Sequence, residues 1–442
     1  MTDWDIDSVR YRFPALRRPG PDGEPVTWLD NAAGTQVVDT CLRAINDYLL
    51  GSNANHGVPN APSIETDELV AQVRLVMADL LGADDPAEIS FGPNMTTIAF
   101  AISRAIGAAL EPGDEIVVTR ADHDANIAPW LAVAQAHDLT VRWVGLRPDD
   151  ATLDLGQLEQ VIGSRTKLVA VGLVSNGTGT INPVPRIANI ARSVGAHLFV
   201  DAVAAVPHLS IDVEALGADY LVFSPYKFYG PHLGVLWGRR ELLQALPPFH
   251  VRPAGDAIPG RFETGTKPFE LLAGLAGTLR YLEKVGITQG GAPGSPGQDD
   301  TFRRSRLLAA MSAIRRYELG LGRQLLERVR AVKGVRVYGI TDSARAAERC
   351  PTVAFTLDGH RPADIARSAG ARLFVDAVAA VPHLSIDVEA LGADYFVCSP
   401  YKFFGPHLGV LWGRRVLREP LPPFHVRPAG DAFPGGFETG TK

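Results

Sequence analysis

Tyr220-Leu221-Val222-Phe223-Ser224-Pro225-Tyr226-Lys227-Phe228-Tyr229-Gly230 is the stretch on which the reading of this chain turns. Four apolar residues make a short strand, Ser-Pro ends it, and Lys227 falls in the turn that the strand feeds. Tyr226, Phe228 and Tyr229 flank the lysine, so its amine is partly withdrawn from water, and desolvation favours the neutral form. A neutral amine at a strand end can form an imine with an aldehyde. The alternative for any single lysine is a solvated surface charge. The strand before it argues otherwise, because His197-Leu198-Phe199-Val200 delivers Asp201 to the same edge of the sheet. An amine and a carboxylate then face one cleft.

Outward from this stretch, residues 88–238 alternate short apolar runs with amphipathic ones. Glu115-Ile116-Val117-Val118, Thr140-Val141-Arg142-Trp143-Val144 and Leu168-Val169-Ala170-Val171 join the two strands above. Their near-continuous Val/Leu/Ile content predicts strands covered on both faces, hence a mainly parallel sheet between helices. Residues 126–137 and 187–194 carry helical spacing and Ala-rich composition. In such sheets ligands bind beyond the carboxyl ends of the strands. After residue 266 the pattern turns helical over 271–285. A Gly/Pro/Ser loop at 286–297 reads as a boundary. A charged helical region at 302–332 then leads to the strand-like runs Val335-Arg336-Val337-Tyr338 and Thr352-Val353-Ala354-Phe355-Thr356. The fold class is therefore α/β, with a large mainly parallel domain and a smaller α/β domain. The expected divisions are an N-terminal arm (1–30), the large domain (31–285), a truncated small domain (286–375) and a tail (376–442).

That tail is a copy. Residues 370–442 repeat 195–267 at an offset of 175, with 63 of 73 aligned positions identical, so this is a recent duplication and not an architectural repeat. Asp376 and Lys402 duplicate Asp201 and Lys227, but the copy brings none of the earlier strands needed for a second pocket. The first copy is expected to hold the place in the sheet, because its short connections make closure entropically cheaper.

Bulk composition excludes several classes. With 442 residues, 46% hydrophobic, 21% charged and a formal charge of -6, the chain suits a multidomain globular enzyme. No dense Lys/Arg run advertises nucleic acid or a membrane surface. No apolar run approaches about 18 residues, and Met1-Thr2-Asp3-Trp4-Asp5 is acidic rather than a basic leader. The three cysteines, Cys41, Cys350 and Cys398, show no Cys-X-X-Cys or zinc spacing. A cytoplasmic protein without a metal is expected.

The chemistry gathers at strand ends. A carboxylate beside an imine-forming lysine is the pairing pyridoxal 5'-phosphate requires, since Asp201 would keep the pyridine nitrogen protonated and the ring electron-poor. Ser90-Phe91-Gly92-Pro93-Asn94-Met95-Thr96-Thr97 ends a strand and opens an apolar helix, whose free N–H groups and dipole make an anion site for a phosphate. Ordinary capping by Asn94 or Thr96 is the alternative. His123 follows the strand Ile116-Val117-Val118 and can stack on a pyridine ring or move protons; a plain loop histidine is the other reading. Asn176, before Gly177, can bond a phenolate or simply form a turn. Cys350 reads as a buried thiol rather than a nucleophile, and Cys398 as packing.

From Phe13 to about Val375 the chain resembles the class V aminotransferases, fold-type I pyridoxal-phosphate enzymes, and is most similar to their cysteine desulfurase-like branch. The resemblance rests on Leu29-Asp30-Asn31-Ala32-Ala33, Asn53-Ala54-Asn55-His56, His123-Asp124-Ala125-Asn126-Ile127, Ser175-Asn176, Val200-Asp201, Ser224-Pro225-Tyr226-Lys227 and Phe262-Glu263-Thr264-Gly265-Thr266. It implies Lys227 as the Schiff-base lysine and Asp201 as the pyridine partner. His123 would stack on the ring, and Asn176 would bond the phenolic oxygen. Met95, Thr96 and Ser224 would hold the phosphate, joined by Gly265 and Thr266 from the other subunit of a homodimer. His56 would lie near a small amino-acid substrate.

The chain also departs from that pattern. Ala204 stands where the family has Gln, and Tyr226 stands where it has His before the lysine. The resemblance implies a loop beyond Val375 with the desulfurase's nucleophilic cysteine, then an arginine that clamps the substrate carboxylate. The copied segment replaces that stretch. The expected function is a pyridoxal-phosphate enzyme acting on a small amino acid by C–S lysis, transamination or epimerisation. A catalytically impaired cofactor-binding relative is the alternative.

Overall fold

A computed structural model of the chain describes residues 4–20, 23, 25, 26, 28–296 and 300–361, and beyond these only 364, 365, 374–376, 388, 395–398 and 410–413. It divides into two compact units, Met1–Val332 with Val337–Ala354, and Lys333–Arg336 with Phe355–Lys442.

Seven strands build the sheet of the first unit: β1 (Ile89–Gly92), β2 (Glu115–Thr119), β3 (Thr140–Val144), β4 (Thr166–Gly172), β5 (His197–Asp201), β6 (Tyr220–Phe223) and β7 (Gly234–Gly238). Their order is β1-β7-β6-β5-β4-β2-β3. Pairings from β3 to β6 are parallel, while β7 runs antiparallel to both β6 and β1. β1 therefore points the same way as β2–β6, and six carboxyl ends share one edge. The expected mainly parallel sheet is present.

Alternation along each strand fills two cores. Val117, Val169, Val171, Leu198, Val200, Leu221 and Phe223 pack on one side, and Ile116, Val118, Leu168, Ala170, Phe199, Tyr220 and Val222 on the other. The second face is covered by the helices Met95–Gly107 and Ala128–Ala136, through Ile98, Ile102, Trp130 and Val133. The first is covered by Ala61–Leu81, Val184–Ser193 and Phe269–Thr288, among others. This two-sided burial is why β2, β4, β5 and β6 read as apolar runs with no polar face, whereas the edge strand β3 exposes Thr140 and Arg142.

One boundary differs from the sequence reading. Gly286, taken as the start of a loop, lies inside the helix Phe269–Thr288. A Cβ there would sit 1.9 Å from the Arg306 carbonyl oxygen on the helix Arg303–Ala331. The glycine is thus a close-approach point between two helices, not a breaker. The strands Val335–Tyr338 (β8) and Ala354–Leu357 (β9) form a two-stranded sheet.

The second unit holds three described strands of the copy, Phe374–Asp376 (β10), Tyr395–Cys398 (β11) and Val410–Gly413 (β12). They form their own sheet, in which Phe374 pairs with Tyr395 as Phe199 pairs with Tyr220, and Tyr395 with Gly413 as Tyr220 with Gly238. The copy therefore repeats the local pairing of its source, while β5, β6 and β7 occupy the large sheet. Lys402 lies outside the described residues, as does the Cys398 side chain.

Candidate active site at the carboxyl edge of the sheet

β5 ends at Asp201 and β6 at Phe223, after which Ser224 leads into a single 3-10 turn, Pro225–Lys227, so amine and carboxylate leave adjacent strands. Asp201 is buried and accepts the Val203 N–H at 2.8 Å. Burial pushes its pKa up to about 6, opposed by that N–H and by the Lys227 charge. Burial likewise draws the Lys227 amine below the ordinary lysine range, against the pull of Asp30 and then Asp201. Each group thus feels the other's charge. The Lys227 amine donates to the Ala32 carbonyl and, at 3.0 Å, to the Ala33 carbonyl.

The aromatic flanks divide their work. Tyr226 lies under the amine, whose nitrogen is 5.0 Å from the ring centroid, and stacks on His232 at 5.0 Å and 16°. Phe228 packs into the core against Phe223, and Tyr229 sits edge-on to Phe13 and Tyr281. One aromatic of the three therefore meets the amine.

Ser224 is buried, and its hydroxyl oxygen accepts the Met95 N–H at 2.9 Å. This ties the end of β6 to the first residue of the Met95–Gly107 helix. Asn94 caps that helix by accepting the Thr97 N–H at 2.8 Å, and Thr96 follows in its first turn. The alternative capping role belongs to Asn94, which leaves the Thr96 hydroxyl uncommitted to the cap.

His123 is exposed just beyond β2, its Nδ1 accepting the Ala125 N–H at 3.1 Å, so the neutral ring carries its proton on Nε2. Asn176 is exposed in the turn after β4, where Ser175 and Thr180 pair (Ser175 N–H to Thr180 O, 2.8 Å). Gly265, at φ 97°, and Thr266 are exposed. They line a cavity of about 130 Å³ with Gly92, Pro93 and Thr97, and neither Lys227 nor Asp201 lines it. His56 is exposed, 3.5 Å from Asp67 and edge-on to Phe269. The structure thus draws Lys227, Asp201, Ser224, Met95 and Thr96 to one edge, with His123 and Asn176 following strands of that edge. His56, Gly265 and Thr266 lie in loops with other contacts.

Two acids, Asp122 and Glu263, were given no role by the sequence. The Asp122 carboxylate accepts the Thr119 hydroxyl at 2.8 Å and the Gly172 N–H at 2.5 Å, and Gly172 is the β4 residue paired with Asp201. A Cβ on Gly172 would come 2.5 Å from Asp122 Oδ1, so a strand-end glycine was the sequence signal for this approach. Burial pushes Asp122 up to about 8, Asp201 adding to it and the Thr119, Gly172 and Asn126 contacts opposing. Glu263 is buried between Arg74, at 2.5 and 2.6 Å, and Lys267, at 3.0 Å, and accepts the Phe91 N–H at 3.0 Å. It fixes the Gly265 loop to β1.

Cys350 is 1% exposed, its thiol pushed up to about 12 by burial, and its N–H donates to Gly179 at 2.8 Å. Cys41 is equally buried and its thiol is also raised. Both are packing thiols, as expected for Cys350. Among the described residues no cluster of His, Cys, Asp or Glu suits a metal, and no helix is long and apolar enough to cross a membrane.

The donor set suits a phosphorylated pyridine aldehyde. It offers a buried carboxylate, an amine of lowered pKa on the neighbouring strand, and a hydroxyl beside a helix start. The chain matches the family Aminotransferase class-V over residues 27–292 and 363–431, the second stretch falling largely on the copy. A probable cysteine desulfurase of Streptomyces coelicolor is 34% identical over 380 residues, 82% of this chain and 84% of that protein. The cysteine desulfurase of Serratia proteamaculans is 33% identical over 375 residues, 81% and 84% respectively. The apo cysteine desulfurase of Thermococcus onnurineus NA1 superposes with a TM-score of 0.66 at 27% identity, covering 81% of this chain and 86% of that one. CsdA of Escherichia coli, a cysteine desulfurase in its S-sulfonic acid form, gives 0.65 at 26% identity, covering 82% and 85%. A sheet edge carrying this amine and this acid, on a chain so matched, makes the protein a member of the class-V aminotransferase family, a pyridoxal-phosphate-dependent enzyme of cysteine desulfurase-like type.

Proposed function

We propose that the chain acts on a small amino acid at the edge formed by β5 and β6, with Lys227 as the amine that holds the cofactor's aldehyde carbon and carries the substrate's α-proton. The observation that carries this reading is the placement of buried Asp201 and of Lys227 just beyond the carboxyl ends of the adjacent parallel strands β5 and β6. Pyridoxal phosphate, when bound, supplies an electron-poor ring that accepts the electron pair left by a broken bond at the α-carbon. Asp201 holds the proton at the pyridine nitrogen. His123, exposed beyond β2, covers the ring face, and Asn176 donates to the phenolic oxygen. Ser224, Thr96 and the Met95 end of its helix bind the phosphate. In a homodimer the exposed Gly265 and Thr266 reach the partner's phosphate, and exposed His56 meets substrate. The divisions 1–30, 31–285, 286–375 and 376–442 serve as arm, cofactor domain, small domain and appended copy. Free, buried Cys41 and Cys350 support a cytoplasmic, reducing setting.

The relatives are named for cysteine desulfuration. Among the described residues, Cys41 and Cys350 are buried with raised thiol pKa, so neither supplies a thiolate nucleophile, and C–S lysis, transamination and epimerisation are the candidate reactions. The same burial favours, as second reading, a cofactor binder with impaired turnover. Purified protein should be yellow, with the visible band lost in Lys227→Ala and kept in Lys402→Ala. Incubation with cysteine and other L-amino acids, assayed for sulfide, keto acid and racemised product, separates the readings. Product supports the enzyme; spectral change without product supports the impaired binder; a band that survives Lys227→Ala sinks both.

A further inference from the structure

Thr35 belongs to no motif quoted above, yet it grips the lysine turn from both sides. Its N–H donates to the Tyr226 carbonyl at 3.1 Å, and its hydroxyl donates to the same oxygen at 3.0 Å across a separation of 191 residues. The hydroxyl oxygen in turn accepts the Tyr229 N–H at 2.7 Å. One side chain therefore holds the carbonyl just before Lys227 and the amide two residues after it.

The second flank is where the backbone is strained. Tyr229 has φ 72°, the left-handed region that an aromatic with a Cβ avoids. Such a residue persists only where its surroundings hold it. Its two backbone groups are both held by the same segment, the N–H by Thr35 and the carbonyl by the Val38 N–H at 3.2 Å. Gly34 completes the fit, since a Cβ there would come 3.2 Å from the Tyr226 ring. The ring so approached is the one lying under the Lys227 amine.

We propose that Thr35 is a positioning residue for Lys227, its hydroxyl stapling the two flanks of the lysine turn and so holding the amine over Tyr226 and in the field of Asp201. The inference rests on Lys227 being the cofactor-holding amine. A hydroxyl is needed because the staple both donates and accepts; valine has the same shape and can do neither, while serine can do both. Without it the Tyr229 N–H loses its acceptor, the turn relaxes, and the amine gains water.

The test is a pH titration of the visible absorbance and circular dichroism of protein reconstituted with pyridoxal 5'-phosphate, for wild type, Thr35→Val, Thr35→Ser and Lys227→Ala. Hydration favours the charged nitrogen, so Thr35→Val should raise the midpoint by about one pH unit and weaken the visible dichroism. Thr35→Ser should titrate like wild type. A Thr35→Val midpoint and dichroism equal to wild type overturn the staple, as does a serine variant that behaves like valine. Should the valine variant fail to fold, the serine variant is read alone, and any midpoint unlike wild type counts against the proposal. A visible band unchanged in Lys227→Ala sinks the lysine reading itself, which is distinct from a band lost in Lys227→Ala with Thr35→Val unaltered.

Discussion

Replacing the buried Glu263 by glutamine removes the charge that two part-buried cations share. The carboxylate is 2% exposed, Arg74 15% and Lys267 11%, with contacts of 2.5 and 2.6 Å to the guanidinium and 3.0 Å to the amine. Removing one partner of such a buried pair costs about 3–5 kcal/mol, because the remaining charge stays desolvated and unpaired. Glutamine keeps a carbonyl oxygen for the Phe91 N–H, so the low end applies, about 3 kcal/mol. Alanine also loses that acceptor and should fall at about 5 kcal/mol. In urea, with a slope of about 3 kcal/mol per molar, Glu263→Gln should lower the unfolding midpoint by about 1 M. Circular dichroism and tryptophan fluorescence report it together. Arg74→Met should cost less in the Glu263→Gln background than alone, with a coupling of about 1 kcal/mol or more. A glutamine variant whose midpoint stays within about 0.2 M of wild type would refute the argument that this hub anchors the Gly265 loop to β1.

Asp122, held up at about 8, keeps its proton in the folded chain where the unfolded chain has already lost it. Between about pH 4 and 8 the folded state therefore binds more protons, and stability falls as pH rises, by up to about 1.4 kcal/mol per unit. Asp122→Asn should flatten that fall in cofactor-free protein; equal slopes of urea midpoint against pH would contradict it. Gly286→Ala should destabilise although alanine is the better helix former by about 1 kcal/mol, because its Cβ would meet the Arg306 carbonyl at 1.9 Å. A raised thermal midpoint would show that the two helices separate freely. Cys350, pushed up to about 12 and buried, should alkylate at pH 8 about a thousandfold more slowly than a free thiol. Mass spectrometry of iodoacetamide-treated native protein checks this, and rapid labelling would reinstate Cys350 as a nucleophile.

β2, β4, β5 and β6 were legible because each is a run of apolar residues too short for a helix and too continuous for a half-exposed strand, while the edge strand β3 shows instead an alternation that leaves Thr140 and Arg142 exposed. β7 was not, since Gly234-Val235-Leu236-Trp237-Gly238 looks like the end of an alternation. Only pairing shows that it lies between β6 and β1. Its Gly234 lets the backbone at Asn94 come close, where a Cβ would meet the carbonyl carbon at 2.4 Å. Gly286 misled because a glycine before a Gly/Pro/Ser stretch has the same local chemistry whether it ends a helix or lets another helix approach.

The strand-end amine, the acid beside it and the helix start after Asn94 follow from local rules, because strand period, turn residues and capping each act over a few positions. Distant contacts carry no such local mark. Which of three aromatics meets the amine, why Asp122 keeps its proton and how Thr35 reaches Tyr226 depend on elements brought together by packing. Burial and hydrogen bonding are properties of that assembled neighbourhood, so these were decided by the tertiary structure alone.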